Sequence, residues 1–318
     1  GNIVLLSLAT LPLAGCSSGS DEAAEEVVLG NMLEPFDPPP LETLLAETEW
    51  FDRPVLDSLA QLRQEQQEAG PPEISVEEAL ALRNNSDEDN EQILDALGRV
   101  APADGEGVDY QAEITLFAEG DLKSINPLLA SSVVESDYHG LTGFGLFSFN
   151  RQLQPFASKD TVVSWQTSDD RMMDKVVLRD DLTWSDGTPI TARDVEFTFR
   201  AIMTDEVIVP AVRTGTDKLK AVKAYDDHTL VFFHKEALAT NEWNLNFLVI
   251  PEHIYGATIP DDPSLARSEA HSDLEKKPIV GGPYTLSRRV IGQEFVLERR
   301  EDYYMAGGKQ VREKPYFK

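Results

Sequence analysis

Cysteine is almost missing: Cys16 is the one thiol in 318 residues. A lone cysteine excludes an intramolecular disulfide and a cysteine-based zinc site. Histidine is scarce too, and the five present (His139, His228, His234, His253 and His271) show no paired metal-ligand spacing. Positive charge is in short supply, with 28 Lys and Arg against 56 Asp and Glu and a formal charge of −28. Nucleic acid is thereby excluded as a partner, because its phosphates would repel the chain. The apolar run Ile3–Leu13 is too short to span a bilayer. The glycine patterns fall short of known chemistry. Gly143-Phe144-Gly145 opens like a dinucleotide loop, but Ser148 stands where the last glycine belongs. Asp87–Gln92 has the acids of a calcium loop and no turn glycine. Gly15-Cys16-Ser17-Ser18-Gly19 fits a nucleophile pattern without the strand and helix that would make it an elbow. No motif for covalent catalysis remains, no cofactor is implied, and no internal repeat is visible.

What is present divides the chain in three. Residues 1–16 read as a signal peptide. Ile3–Leu13 fits its apolar core, and Leu13-Ala14-Gly15-Cys16 resembles a bacterial lipobox, in which small residues precede a cysteine that is cleaved at and lipidated. The alternative is a stray buried cysteine. Lipidation of Cys16 would hold the protein at the cell envelope by acyl chains rather than by a transmembrane helix. Residues 17–111 form an acidic segment, with 24 Asp and Glu against four Lys and Arg over 17–112. Short helical faces are expected at Leu56, Leu59 and Leu62 after Pro54, at the capping box Ser75–Glu78, and at Ile93, Leu94 and Leu97. The acid content favours a solvated spacer that lifts a domain off the membrane, over a small appendage that contacts a partner.

Residues 112–318 carry a hydrophobic content compatible with a core, and mixed α/β signals. Glu113–Ala118 alternates and is expected to be the first strand. Leu219–Tyr225 and Thr229–Phe233 predict a hairpin about Asp226-Asp227-His228, and Tyr284–Leu286 with Glu294–Glu298 predict another about Ile291-Gly292-Gln293. Asn241–Leu248 is expected to be helical. Asp174–Met203 is the densest stretch. Lys175–Leu178 reads as a strand, Ser185-Asp186-Gly187-Thr188-Pro189 as a turn, and Thr191 with Asp194 as a capping box that opens a helix.

Five separated stretches resemble one family, the family 5 extracellular solute-binding proteins of dipeptide and oligopeptide ABC importers. They are Ile125–Leu129, Leu178–Val195, Ile250–Ile254, Pro278–Tyr284 and Leu297–Tyr304. The resemblance covers 112–318 and implies an α/β, type II periplasmic-binding-protein-like fold of two lobes. The chain would supply most of the first lobe, up to the hinge, with the second lobe truncated; both ends read as cuts in a longer protein. It implies no enzymatic activity. It implies instead capture of a peptide in a cleft that closes by hinge motion and delivers the ligand to a membrane permease. A nickel chelate, an oligosaccharide or another small solute is the alternative ligand, and a surface interaction lipoprotein outside transport is the alternative role.

Candidate ligand contacts are Asn126, Asn241, Trp243, Asn244 and Tyr284. Asn126 either faces the cleft or caps its local turn. Trp243 either lines a pocket, offering an apolar body and one N–H donor, or packs in a core. Trp184, inside the signature, is expected in the core.

Overall fold

In the computed structural model, residues 27–69, 86, 105–150 and 152–318 are described. Cys16, the lipobox, the Ser75 capping box and the Ile93 face lie outside them.

The fold starts from strands whose alternation is visible in the sequence. Met173–Leu178 (β6) buries Asp174, Val176 and Leu178 on one side. Val162–Ser168 (β5) pairs with it antiparallel, and Thr229–His234 (β8) pairs on its other edge. Leu219–Ala224 (β7) joins β8 through the expected hairpin. Trp50–Asp52 (β1), from the acidic segment, closes the far edge against β5, which gives an antiparallel order β1-β5-β6-β8-β7. A second sheet has order β2-β4-β3, from Val55–Leu56 (β2), Phe147–Phe149 (β3) and Pro155–Ser158 (β4). Tyr284–Val290 (β9) and Glu294–Arg299 (β10) form the other predicted hairpin. Mixed α/β architecture is therefore as expected.

Strand β8 is buried on both faces beyond Thr229, and its side chains sort into two cores. Leu230 and Phe232 enter the main one with Phe197, Phe199 and Ile202 of helix Ala192–Ile202. That helix begins as predicted. The Thr191 hydroxyl accepts from Arg193 N, and Asp194 Oδ2 accepts from Thr191 N at 2.8 Å. Val231 and Phe233 face the opposite way and meet Leu44, Phe36 and Trp50. The part of the acidic segment at 27–69 is thus laid on the domain. Leu44, Phe36 and Trp50 of this acidic stretch pack on the sheet, whereas Val28, Met32, Leu45, Phe51 and Leu62 stay exposed. Residues 27–69 therefore cover the domain and are not a solvated spacer. Ion pairs of Arg53 with Glu242 and Arg63 with Glu313 add to this.

Three local expectations differ. Glu113–Ala118 forms no strand: Ile114, Leu116 and Phe117 are exposed, and among the described residues no strand pairs with it. Alternation marks a strand only where a neighbour supplies the ladder. Pro54 does not open the helix at Leu56. Val55–Leu56 pairs in parallel with Ala157–Ser158, and the helix runs Ser58–Ala69, with Asp57 Oδ1 accepting from Ala60 N at 2.9 Å. The helix at Asn241 is a 3-10 turn that ends at Leu245.

Candidate functional site

Four of the five signature stretches are joined by direct hydrogen bonds, and Ile125–Leu129 is tied to them through Asn126 and Tyr255. The centre of this assembly is the turn after Trp184. Gly187 adopts φ +87°, a backbone that side-chain-bearing residues rarely take, and Trp184 N donates to Thr188 O across the turn at 2.8 Å. Asp186 Oδ2 lies 2.8 Å from His253 Nε2, joining the turn to the Ile250–Ile254 bend. Asp194 Oδ1 accepts from Glu252 N at 2.9 Å and makes a second link. Ser185 N donates to Val280 O at 2.8 Å, and Val280 N returns a bond to Ser185 Oγ at 3.0 Å. Arg300 completes the set. It is buried, and its guanidinium donates to the carbonyls of Val280 (2.7 Å), Gly282 (3.0 Å) and Thr183 (3.1 Å) while pairing with Asp302. Gly282 must be glycine here, because a Cβ would stand 2.7–2.8 Å from the backbone of Leu141–Gly143.

Between these stretches lies a small cavity. Its walls include Asn126, His139, Thr142, Phe144, Trp184 and Tyr255, with the Pro278–Gly281 corner at one side. Space for the centres of water-sized molecules is about 30 Å³. That suits small solvent and not a peptide. The burial and bonding of the signature therefore mark it as scaffold.

Asn126 reaches this cavity, and its side chain is spoken for. Oδ1 accepts from Leu128 N at 3.0 Å, capping the 3-10 turn Pro127–Leu129, and Nδ2 donates to Tyr255 Oη at 3.2 Å. The other candidates lie elsewhere. Asn241 is buried, with Nδ2 donating to the carbonyls of Glu236 (2.8 Å) and Arg171 (3.1 Å), so it fastens two loops. Trp243 is 46% exposed and stacks on Phe149, with ring centroids 4.4 Å apart; a core position is excluded. Asn244 is half-buried, with Oδ1 near Gly215. Tyr284 opens β9, and its hydroxyl donates to Phe317 O at 3.2 Å. Burial raises its pKa, against the opposing pull of Arg299. Trp243 and Asn244 share one turn. Neither they nor Tyr284 line the cavity that Asn126 reaches.

One buried acid belongs to no ligand or catalytic motif. Glu135 sits in the helix Val133–Thr142 and is fully buried. Burial raises its pKa, but its carboxylate accepts from the backbone N–H of Lys123, Ser124, Ser131 and Ser132 at 2.8–3.1 Å. These bonds outweigh the desolvation and hold the pKa at about 2. The signal was present as Ser132-x-x-Glu135, a capping box. The acid's second task, holding the loop before Ile125–Leu129, has no local signature.

Residues 157–318 match the model of the bacterial extracellular solute-binding proteins, family 5, middle region. The chain belongs to this family. Among curated family 5 relatives, the periplasmic oligopeptide-binding protein OppA of Escherichia coli K12 is 25% identical over 203 residues, 58% of this chain and 35% of OppA. The Agrobacterium fabrum protein named "Probable peptide-binding protein YejA" is 31% identical over 135 residues, 42% of this chain and 21% of that protein. The chain thus spans a fifth to a third of these relatives' length. Among solved structures, the ABC transporter substrate-binding protein CtaP of Listeria monocytogenes shares 31% identity and a TM-score of 0.50, over 63% of this chain and 38% of that one. AppA of Bacillus subtilis, solved with a nonapeptide, shares the fold with a TM-score of 0.53 at 22% identity, over 63% of this chain and 37% of its own. These matches agree with the periplasmic-binding-protein fold expected for a family 5 chain. Among the described residues, no helix is long and apolar enough to cross a membrane.

Proposed function

We propose that this chain is part of an extracytoplasmic binding lipoprotein of an ABC importer. In this reading it captures peptides, encloses them by closure of two lobes, and delivers them to a permease. Cys16 carries the lipid anchor, and 112–318 build the first lobe up to the hinge, with strands β1 and β2 supplied from the acidic segment 17–111. The observation that carries the ligand class is the family match together with relatives named for peptide binding. The mechanism needs no covalent step, only binding and a hinge. Trp243, half-exposed where it stacks on Phe149 and next to Asn244 in the turn, is the first ligand contact in this reading. Tyr284, beside the last residues of the chain, is the second. Asn126 and Asn241 fasten their own local turns and loops.

Native mass spectrometry of the whole protein, purified from its own envelope, tests the ligand class. Bound masses that fragment as peptides are expected. Nickel chelates or oligosaccharides in their place would overturn the peptide reading and leave the solute-binding one standing. Labelling with radioactive palmitate tests the anchor separately: label lost in Cys16→Ser supports it, and label retained contradicts it.

A further inference from the structure

The stretch Asp52–Leu56 of the acidic segment is a step between two sheets. Strand β1 ends at Asp52 on the edge of the five-stranded sheet, and β2 starts at Val55 in the three-stranded one. Arg53, between them, is pinned on both sides. Its own N–H donates to Trp165 O at 2.8 Å, and Pro54 O accepts from Ala157 N at 2.9 Å. The guanidinium lies over the Trp165 ring, 5.1 Å from its centroid, and reaches out to the Glu242 carboxylate. Backbone and stem are fixed, so the charge is delivered at one place.

That place is the 3-10 turn Asn241–Leu245, in which Glu242 directly precedes Trp243. The acidic segment also reaches Trp243 by a second route. The indole stacks on Phe149, with the ring planes 27° apart. Phe149 belongs to β3, which pairs with β4, and β4 is the strand that Val55–Leu56 joins. One face of the ring is thus set by a sheet that the segment completes, and the turn that carries the ring is tied to the same segment by an ion pair. A partly exposed ion pair adds little to stability. What it adds here is direction. A contact residue already held in place loses less rotamer freedom when a ligand arrives.

We propose that Arg53 is a positioning residue of the binding surface: given Trp243 as a ligand contact, the reading above, Arg53 acts through Glu242 to hold the turn that presents the indole. The acidic segment then has a task at the site as well as a place on the sheet.

The test is fluorine NMR of the whole protein labelled with 5-fluorotryptophan, the Trp243 resonance being identified by its loss in Trp243→Phe. This part needs no ligand. Arg53→Met keeps a stem over Trp165 and removes the charge, whereas Glu242→Gln removes the charge on the partner. Both should shift or broaden the Trp243 resonance, and Arg53→Lys, which keeps the charge, should leave it near its wild-type position. A resonance unmoved in both Arg53→Met and Glu242→Gln overturns the positioning, and one moved by Arg53→Met alone overturns the route through Glu242. Binding is read separately, by native mass spectrometry with a mixed tripeptide pool. Arg53→Met should weaken it about 3-fold, and should have no effect on a Trp243→Ala background. Fully additive losses in that double variant would overturn the proposal. A pool that fails to bind the wild type sinks the peptide reading, and binding untouched by Trp243→Ala sinks the contact reading; in either case the resonance still decides whether Arg53 holds the turn.

Discussion

Two regions of this molecule are fastened to the same sheet by different means. The signature stretches are bound to one another by buried polar side chains that reach backbone groups: Arg300 on three carbonyls, Asp194 on two amides, and Glu135, in the neighbouring helix, on four. The segment 27–69 is held by apolar plugs, such as Leu44 against Val231 and Phe233, and by ion pairs nearer the surface. A buried group that satisfies several backbone partners cannot be replaced without leaving them unpaired. A plug or a surface pair fails by itself. The difference teaches why one region carries a family signature that is legible in the sequence while the other is only an acidic composition.

The comparison can be broken with substitutions of graded effect. Arg300→Ala should be the most damaging, because the carbonyls of Val280, Gly282 and Thr183 lose the guanidinium together and Val280 keeps only Ser185 N. A loss of about 3–5 kcal/mol is expected in urea unfolding. A loss below about 1 kcal/mol would show that water replaces the guanidinium and that the assembly is looser than described.

Glu135 comes next, and its contribution has a pH signature. The folded pKa of about 2 lies below the ordinary 4.5, so the carboxylate stabilises the fold above pH 4.5, and this is lost as pH falls toward 2. The full effect is about 3 kcal/mol. Glu135→Gln should flatten that part of the acid limb in a thermal-melt series, and an unchanged limb would contradict the assignment. His139 acts nearby at milder pH. Burial lowers its pKa from 6.5 to about 4, against the opposing pull of Glu135, so its neutral form favours the fold. Stability from this source is lost as pH falls from 6.5 toward 4, and His139→Phe should remove that slope.

Smaller effects belong to the N-terminal segment. Leu44→Ala should cost about 2–3 kcal/mol by opening a gap over Val231 and Phe233. Glu242→Gln, which breaks the partly exposed pair with Arg53, should cost less than about 1 kcal/mol and lose even that in high salt. If Leu44→Ala were silent, segment 27–69 would be an ornament on the domain and not its second covering.

Much of the fold was legible because local chemistry and tertiary context agree there. Thr191 and Asp194 cap in the structure as their spacing requires, and both long hairpins turn where Asp226-Asp227 and Gly292 suggest. Where the two disagree, the sequence misleads. Ile114, Leu116 and Phe117 alternate without a neighbour, and Val55–Leu56 leaves a helical pattern to pair with Ala157–Ser158. The candidate site was less legible. Asn126 and Asn241 are polar residues in turns, and nothing local says that their amides are already engaged. Trp184 and Trp243 are the same residue type in similar company, yet one is 1% exposed and the other 46%. Only the packing separates scaffold from surface.

That pair of tryptophans offers the most direct test of the central claim, that the buried residues of the signature build the scaffold while Trp243, exposed and outside it, meets the ligand. The measurement is calorimetric titration of the whole protein with a peptide, the ligand class proposed above, for Trp184→Phe and Trp243→Ala, alongside melting temperatures. Trp184→Phe should lower the melting temperature and leave Kd within about 3-fold, whereas Trp243→Ala should weaken binding about 10-fold, or about 1.4 kcal/mol, at an unchanged melting temperature. The reverse pattern, with binding lost through Trp184 and untouched by Trp243, would contradict the account.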